Sequence, residues 1–182
     1  IPEVMEVSGA KLREVGTTNR TRIEDYERAI TDDTGLMLKA YRSNFAVVGF
    51  TESVPTAEMA ALGVERGVST ALDLGSGLMV DLSPHGIQDA TTVQEAVDSG
   101  VDLVCFSGDK LLGGPQSGIL TGRTEYVTRI RKHPLYRAFR VDKSILAALE
   151  ATLKTYLDPD RLAQTNPTYR MLTVSADDLR PR

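Results

Sequence analysis

A glycine-rich turn carrying one lysine constrains this chain more than any other stretch. Val101-Asp102-Leu103-Val104-Cys105-Phe106 is a nearly continuous apolar run and reads as a buried strand. It leads into Ser107-Gly108-Asp109-Lys110-Leu111-Leu112-Gly113-Gly114-Pro115-Gln116-Ser117-Gly118, too rich in glycine to carry on as strand or helix. Lys110 is therefore delivered at a strand end, the position of a catalytic amine. With so little side-chain bulk around it, backbone N–H groups are free to approach an anion or a flat ring closely. The plainer alternative is a surface turn with a solvated lysine, and the rest of the chain decides between them.

The rest of the chain alternates apolar runs with helical periodicity. Lys11–Val15 leads to the polar turn Gly16-Thr17-Thr18-Asn19-Arg20, after which Thr21 and Glu24 read as a capping box for a helix to about Ile30. Leu36–Ala40 reads as a strand, followed by polar Tyr41–Asn44 and a second apolar run, Ala46–Phe50. Thr56 is placed to cap a helix through Glu65 that Gly67 stops, and Val68–Leu72 is a strand ending in Asp73-Leu74-Gly75-Ser76-Gly77. Pro84–Asp89 is loop, Thr92–Ser99 a short helix closed by Gly100, and Ile119–Thr121 a further strand. Helices follow from about Thr124 to Lys132, ending before Pro134, and from an Asp142 cap through Tyr156. Helices between near-continuous apolar strands predict an α/β fold, a mostly parallel sheet with both faces covered.

At 182 residues the chain has room for one sizeable core, and 41% hydrophobic with 25% charged residues is ordinary for a globular protein. A formal charge of −4 gives no global attraction to nucleic acid. The single cysteine, Cys105, has no internal disulfide partner and reads as a buried thiol, which favours a reducing, cytoplasmic setting. No apolar stretch approaches membrane-spanning length, and no leader-like segment is seen. The first residue is Ile1 rather than methionine, so a piece of a longer protein is the expectation. Leu179–Arg182 reads as a frayed or truncated end.

In parallel sheets ligands gather at the carboxyl ends of strands, and both Asp73 and Lys110 lie at such ends. That pair meets the needs of pyridoxal phosphate: an amine for the cofactor's aldehyde, and a carboxylate to keep its ring nitrogen protonated as an electron sink. Ser107 is placed to bind the cofactor phosphate and Asp109 to pair with the lysine or take part in proton transfer. Each has a plainer reading, as a cap or turn residue or a solvated side chain.

The lysine motif Ser107–Gln116, with Arg13-Glu14-Val15-Gly16-Thr17-Thr18-Asn19-Arg20-Thr21, Asp73–Gly77 and Asp142–Leu153, resembles bacterial selenocysteine synthase, the L-seryl-tRNA(Sec) selenium transferase family. The resemblance covers nearly the whole chain. It implies the fold-type-I large-domain core of pyridoxal phosphate enzymes, with residues 1–140 from the cofactor domain and 141–182 a connecting helix and the start of a small domain. By the same resemblance Lys110 is the lysine bonded to the cofactor and Asp73 the ring-nitrogen partner. Arg137 and Arg140 are implied as holders of selenophosphate, and a spacing of three places them on one side of a helical turn. The implied reaction is β-elimination and selenium addition on seryl-tRNA(Sec). The implied assembly is a dimer-based homo-oligomer whose tRNA-contacting domain and phosphate-cradling loop lie outside this chain. The piece alone is expected to be inactive. Two alternatives remain from the residues: another fold-type-I lyase on a small amino acid, and a folded core that binds no cofactor.

Overall fold

The computed structural model describes residues 2–42, 45–88 and 90–180. Of the segments read from the sequence, Ser43-Asn44, Asp89 and the terminal Pro181-Arg182 lie outside the described residues. In chain order the elements are α1 (Pro2–Val7), α2 (Ile23–Ala29), β1 (Leu36–Ala40), α3 (Thr56–Arg66), β2 (Ser69–Gly75), α4 (Val93–Asp98), β3 (Leu103–Ser107) and β4 (Gly118–Gly122). They continue as α5 (Thr124–Lys132), α6 (Pro134–Phe139), α7 (Lys143–Thr155), α8 (Leu162–Thr165), α9 (Pro167–Thr173) and α10 (Ala176–Leu179). The four strands form one sheet in the order β1-β2-β3-β4, the first three parallel and β4 antiparallel to β3.

Sequence chemistry sets most of these boundaries. Thr92 Oγ1 accepts from Glu95 N–H at 3.2 Å and Glu95 Oε2 accepts from Thr92 N–H at 2.8 Å, a capping box that starts α4. Asp142 Oδ1 caps α7 by accepting from Ser144 and Ile145 N–H at 2.7 and 2.9 Å. Gly67 ends α3 in the left-handed region at φ 66°, which costs a residue without Cβ little. Two caps differ from the sequence reading. Arg22, not Thr21, is the N-cap of α2, and Asp25 rather than Glu24 accepts from its N–H at 2.9 Å, because Thr21 N–H is already bonded to Glu52 O at 3.0 Å. Thr56 is the first helical residue of α3 after Pro55 at the cap, and its hydroxyl accepts from Lys39 Nζ at 3.4 Å. The apolar run Ala46–Phe50 is no strand: Val48 and Phe50 are exposed in irregular backbone.

The two sheet faces differ. Met37, Leu72, Leu74, Val104 and Phe106 alternate onto one face and are buried with Met59, Leu62, Val93 and Ala96 of α3 and α4. Each fully buried aliphatic side chain there contributes about 1.5–3 kcal/mol. The other face carries Ala71, Asp73, Leu103, Cys105 and Ser107, and α5 reaches it where Ser69 Oγ donates to Tyr126 Oη at 3.0 Å. Leu149 and Tyr156 bring α7 onto the core.

One buried charge pins the start of β3. Asp102 Oδ2 accepts from Thr70 N–H at 2.8 Å and from the Thr70 hydroxyl at 3.1 Å, while its Oδ1 meets Arg123 Nη1 at 3.0 Å. Asp102→Ala leaves the Thr70 N–H in a dry site without its acceptor, so unfolding in urea should show a loss of about 2–3 kcal/mol. An unchanged midpoint would mean that water replaces the carboxylate.

Candidate active site

The site is built where β2 and β3 end. Asp73 lies within β2, two residues before the strand stops, with Ala40 and Cys105 as its register partners on either side. The register then slips, since β2 advances from Asp73 to Gly75 while β3 advances one residue, from Cys105 to Phe106. This bulge re-aims the strand end and leaves Leu74 fully buried. Gly77, at φ 68°, is packed so closely against β3 that a Cβ there would sit 2.7 Å from Ser107 O. The loop after Asp73 therefore lies directly on the residues that precede the lysine.

The lysine turn is tied to that loop and closed on itself. Leu111 N–H donates to Ser76 O at 2.9 Å, joining the chain beside Lys110 to the chain beside Asp73. Gly113 N–H donates to Lys110 O at 3.0 Å, Gly108 N–H to Ser117 O at 2.9 Å, and Gly114 N–H to Gly108 O at 2.8 Å. A Cβ at Gly108 would collide with Ser117 Oγ and lie 2.7 Å from Pro115 O, so this turn cannot carry bulk there.

Asp73, Ser107 and the Lys110 turn are thus brought to one end of two adjacent parallel strands. Ser107 ends β3 half-buried, with its hydroxyl unpaired among the described residues. Lys110 and Asp109 are exposed, and neither takes part in an ion pair among the described residues, so Asp109 does not pair with the lysine. Arg137 and Arg140 are also exposed, and no hydrogen bond or ion pair among the described residues joins either to the strand ends. α6 stops at Phe139 and Arg140 follows as an extended C-cap, so the two do not share a continuous helical face.

A second lysine provides a contrast. Burial, then the Arg42 charge, lowers the pKa of Lys39. Lys39 is the register partner of Leu72 on the helix-packed face, and its amine donates to Val54 O. It is spent on holding the chain before α3. The Thr17–Arg20 turn is similarly committed: Asn19 Nδ2 donates to Phe50 O at 2.9 Å, and Arg20 and Arg22 both pair with Glu52.

Sequence reasoning missed the surroundings of Asp73. The Cys105 thiol donates to Asp73 Oδ1 at 3.7 Å, and Tyr41 N–H donates to Asp73 O at 2.8 Å. Strand alternation alone would have placed Cys105 on the Asp73 face had the register been known. Burial first, then the Asp73 charge and hydrogen bond, push the thiol up to about 11. Among the described residues there is no cluster able to hold a metal ion and no helix long and apolar enough to cross a membrane.

An amine, a carboxylate and a hydroxyl gathered at the carboxyl ends of parallel strands define a class. Together with the sheet order, they mark an α/β fold with a mostly parallel sheet and a polar site at its strand ends. Solved structures share this fold: D-glucosaminate-6-phosphate ammonia-lyase (TM-score 0.67, 22% identity, 85% of this chain and 38% of that one) and a Thermus thermophilus aspartate aminotransferase double mutant (TM-score 0.61, 19% identity, 93% and 44%). The family model described as L-seryl-tRNA selenium transferase, SelA, matches residues 1–182. The L-seryl-tRNA(Sec) selenium transferase of Geobacter sulfurreducens is 58% identical over 182 residues, all of this chain and 39% of the relative. The chain belongs to the L-seryl-tRNA selenium transferase family, and it spans about two fifths of the length of that curated relative.

The Cys105 thiol stays protonated through neutral pH, and alkylation of the folded protein should rise with a midpoint near pH 11. Asp73→Asn removes the charge but leaves the burial, so the midpoint should fall only part of the way toward that of a free thiol. A wild-type midpoint below 9 would contradict the contact.

Proposed function

We propose that the full-length protein containing this chain converts seryl-tRNA(Sec) to selenocysteinyl-tRNA(Sec), with selenophosphate as donor and pyridoxal phosphate as cofactor. The observation that carries this reading is the Leu111–Ser76 hydrogen bond, which joins the Lys110 turn to the Asp73 strand end. The donor set fits the cofactor: Lys110 for its aldehyde, Asp73 for its ring nitrogen and Ser107 for its phosphate. Residues 1–140 are proposed as part of the cofactor domain and 141–182 as the start of the small one.

When bound, pyridoxal phosphate supplies an electron sink for the carbanion formed at the seryl α-carbon. Asp73 would hold the proton at the ring nitrogen from its half-buried strand end. Once the seryl amine has taken its place, the freed Lys110 amine would accept the proton from the α-carbon, held for that task by the hydrogen-bonded turn around it. Arg137 and Arg140 bind the anionic selenium donor, for which planar guanidiniums are better suited than the point charge of lysine. Asp109, one residue from the amine, is proposed to assist proton transfer. Lys110 is exposed in this piece, and exclusion of water falls to the remainder of the full-length chain and to copies assembled around it.

Borohydride treatment of the full-length holoenzyme should fix the cofactor on Lys110, and Lys110→Ala should abolish both labelling and the visible absorbance band. Asp73→Ala should lower turnover by orders of magnitude with the fold intact. Labelling of Lys39 or Lys143 instead would sink the assignment.

Steady-state kinetics test the arginines. Arg137→Ala or Arg140→Ala should raise the Michaelis constant for the selenium donor far more than that for seryl-tRNA, a loss of about 1.5–3 kcal/mol for a charge-assisted bond. Equal weakening of both substrates, or of neither, returns the pair to a solvated basic face.

A further inference from the structure

We propose that Tyr156 and Asn166 are positioning residues for Lys110, clamping the main chain of the lysine turn from the C-terminal segment. The proposal rests on the reading of Lys110 as the cofactor lysine. The Lys110 side chain is exposed and finds no partner among the described residues, so its placement depends on its backbone. Two residues on, Leu112 is fully buried, and its carbonyl needs donors that the turn itself does not supply. Tyr156 Oη donates to Leu112 O at 2.8 Å, and Asn166 Nδ2 donates to the same oxygen at 3.2 Å.

Asn166 is 2% exposed, which makes incomplete pairing costly. Both of its amide donors are used. Nδ2 also donates to Tyr156 Oη at 3.2 Å, and Oδ1 accepts from Tyr169 N–H at 3.1 Å, capping α9. The packing is equally close: Gly113 sits at φ 75°, and a Cβ on it would lie 2.6 Å from Asn166 Oδ1. Burial holds the Tyr156 hydroxyl above its ordinary pKa, so it remains a donor through the working range. The two residues after the lysine are therefore held by two separate parts of the chain, by Ser76 from the Asp73 loop and by Tyr156 and Asn166, the C-cap of α7 and the N-cap of α9. A displacement of the C-terminal segment is passed to the amine through these bonds.

A cap and a clamp are separable. Asn166→Asp keeps an acceptor for the Tyr169 N–H but loses both amide donors and sets a carboxylate against Leu112 O. Tyr156→Phe removes only the hydroxyl. Both variants are made in the full-length protein and followed by amide hydrogen exchange without cofactor, by the pH midpoint of the visible band with cofactor, and by kinetics. The expected result is exchange faster by about tenfold or more in residues 108–114, with β1 and β2 unchanged. The absorbance midpoint should move, and kcat should fall while both Michaelis constants hold. Wild-type exchange and an unmoved midpoint in both variants would overturn the clamp, as would protection lost evenly across the sheet, which marks a structural role alone. Borohydride labelling separates the two readings. A wild-type label on Lys110 with unaffected variants defeats the clamp only, whereas a label elsewhere removes the amine it is proposed to position.

Discussion

The parallel pairing of β2 with β3, with its one-residue slip after Asp73, is the constraint on which the rest of the site depends. Parallel strands end on the same side of a sheet, so one hydrogen-bond ladder places residues distant in sequence at a common edge. Without the slip, Leu74 would be paired across from Phe106 in the ordinary register; with it, Gly75 takes that place and the chain turns early onto the lysine loop. Gly77 must then lie against Ser107 O, and only a residue without Cβ fits that approach at φ 68°. The Ser76–Leu111 bond follows from the same geometry. One backbone irregularity thus links a carboxylate to an amine that no side-chain contact joins.

The unequal faces of the sheet explain why the polar groups sit where they do. The face covered by α3 and α4 is mostly apolar, and the charges it admits are tied down: Lys39 to Val54 O at the sheet's edge and Asp102 to Thr70 and Arg123. The face bearing Asp73, Cys105 and Ser107 is half-buried, which suits groups that must meet a ligand without full desolvation. Cys105 fits this division. A thiol on that face behaves as a small hydrophobe opposite Leu120 in the register yet offers a weak donor to the carboxylate beside it.

Much of the fold was legible in the sequence because its signals are local. β1, α5 and the Asp142 cap of α7 fall where periodicity and cap chemistry place them. The misplaced caps at Thr21 and Thr56 have a shared cause: each threonine is engaged by a residue far along the chain, Glu52 or Lys39, which no local rule sees. The same limit applies to the site. Asp73 and Lys110 could be paired because strand-end logic is topological, but the contact of Cys105 with Asp73 needs the register, and the grip of Tyr156 and Asn166 on Leu112 spans 44 and 54 residues. Periodicity reports which side of an element is buried, not what it is buried against.

Charge placement adds a feature that net composition conceals. The chain is acidic overall at −4, yet residues 123–140 carry six arginines and lysines against one glutamate. Arg123 is engaged by Asp102 and Glu125, while Arg129, Arg131, Lys132, Arg137 and Arg140 form no ion pair among the described residues. A run of unneutralised cations on an otherwise acidic body raises the local concentration of small anions and speeds their arrival, an effect that weakens as salt rises. On the proposed reading this serves the anionic selenium donor before any particular contact forms. It also explains why α6 can end at Phe139 without defeating the assignment of Arg140. Long guanidinium side chains on an exposed, extended cap are free to converge on an oxyanion, and a shared helical face is not required of them.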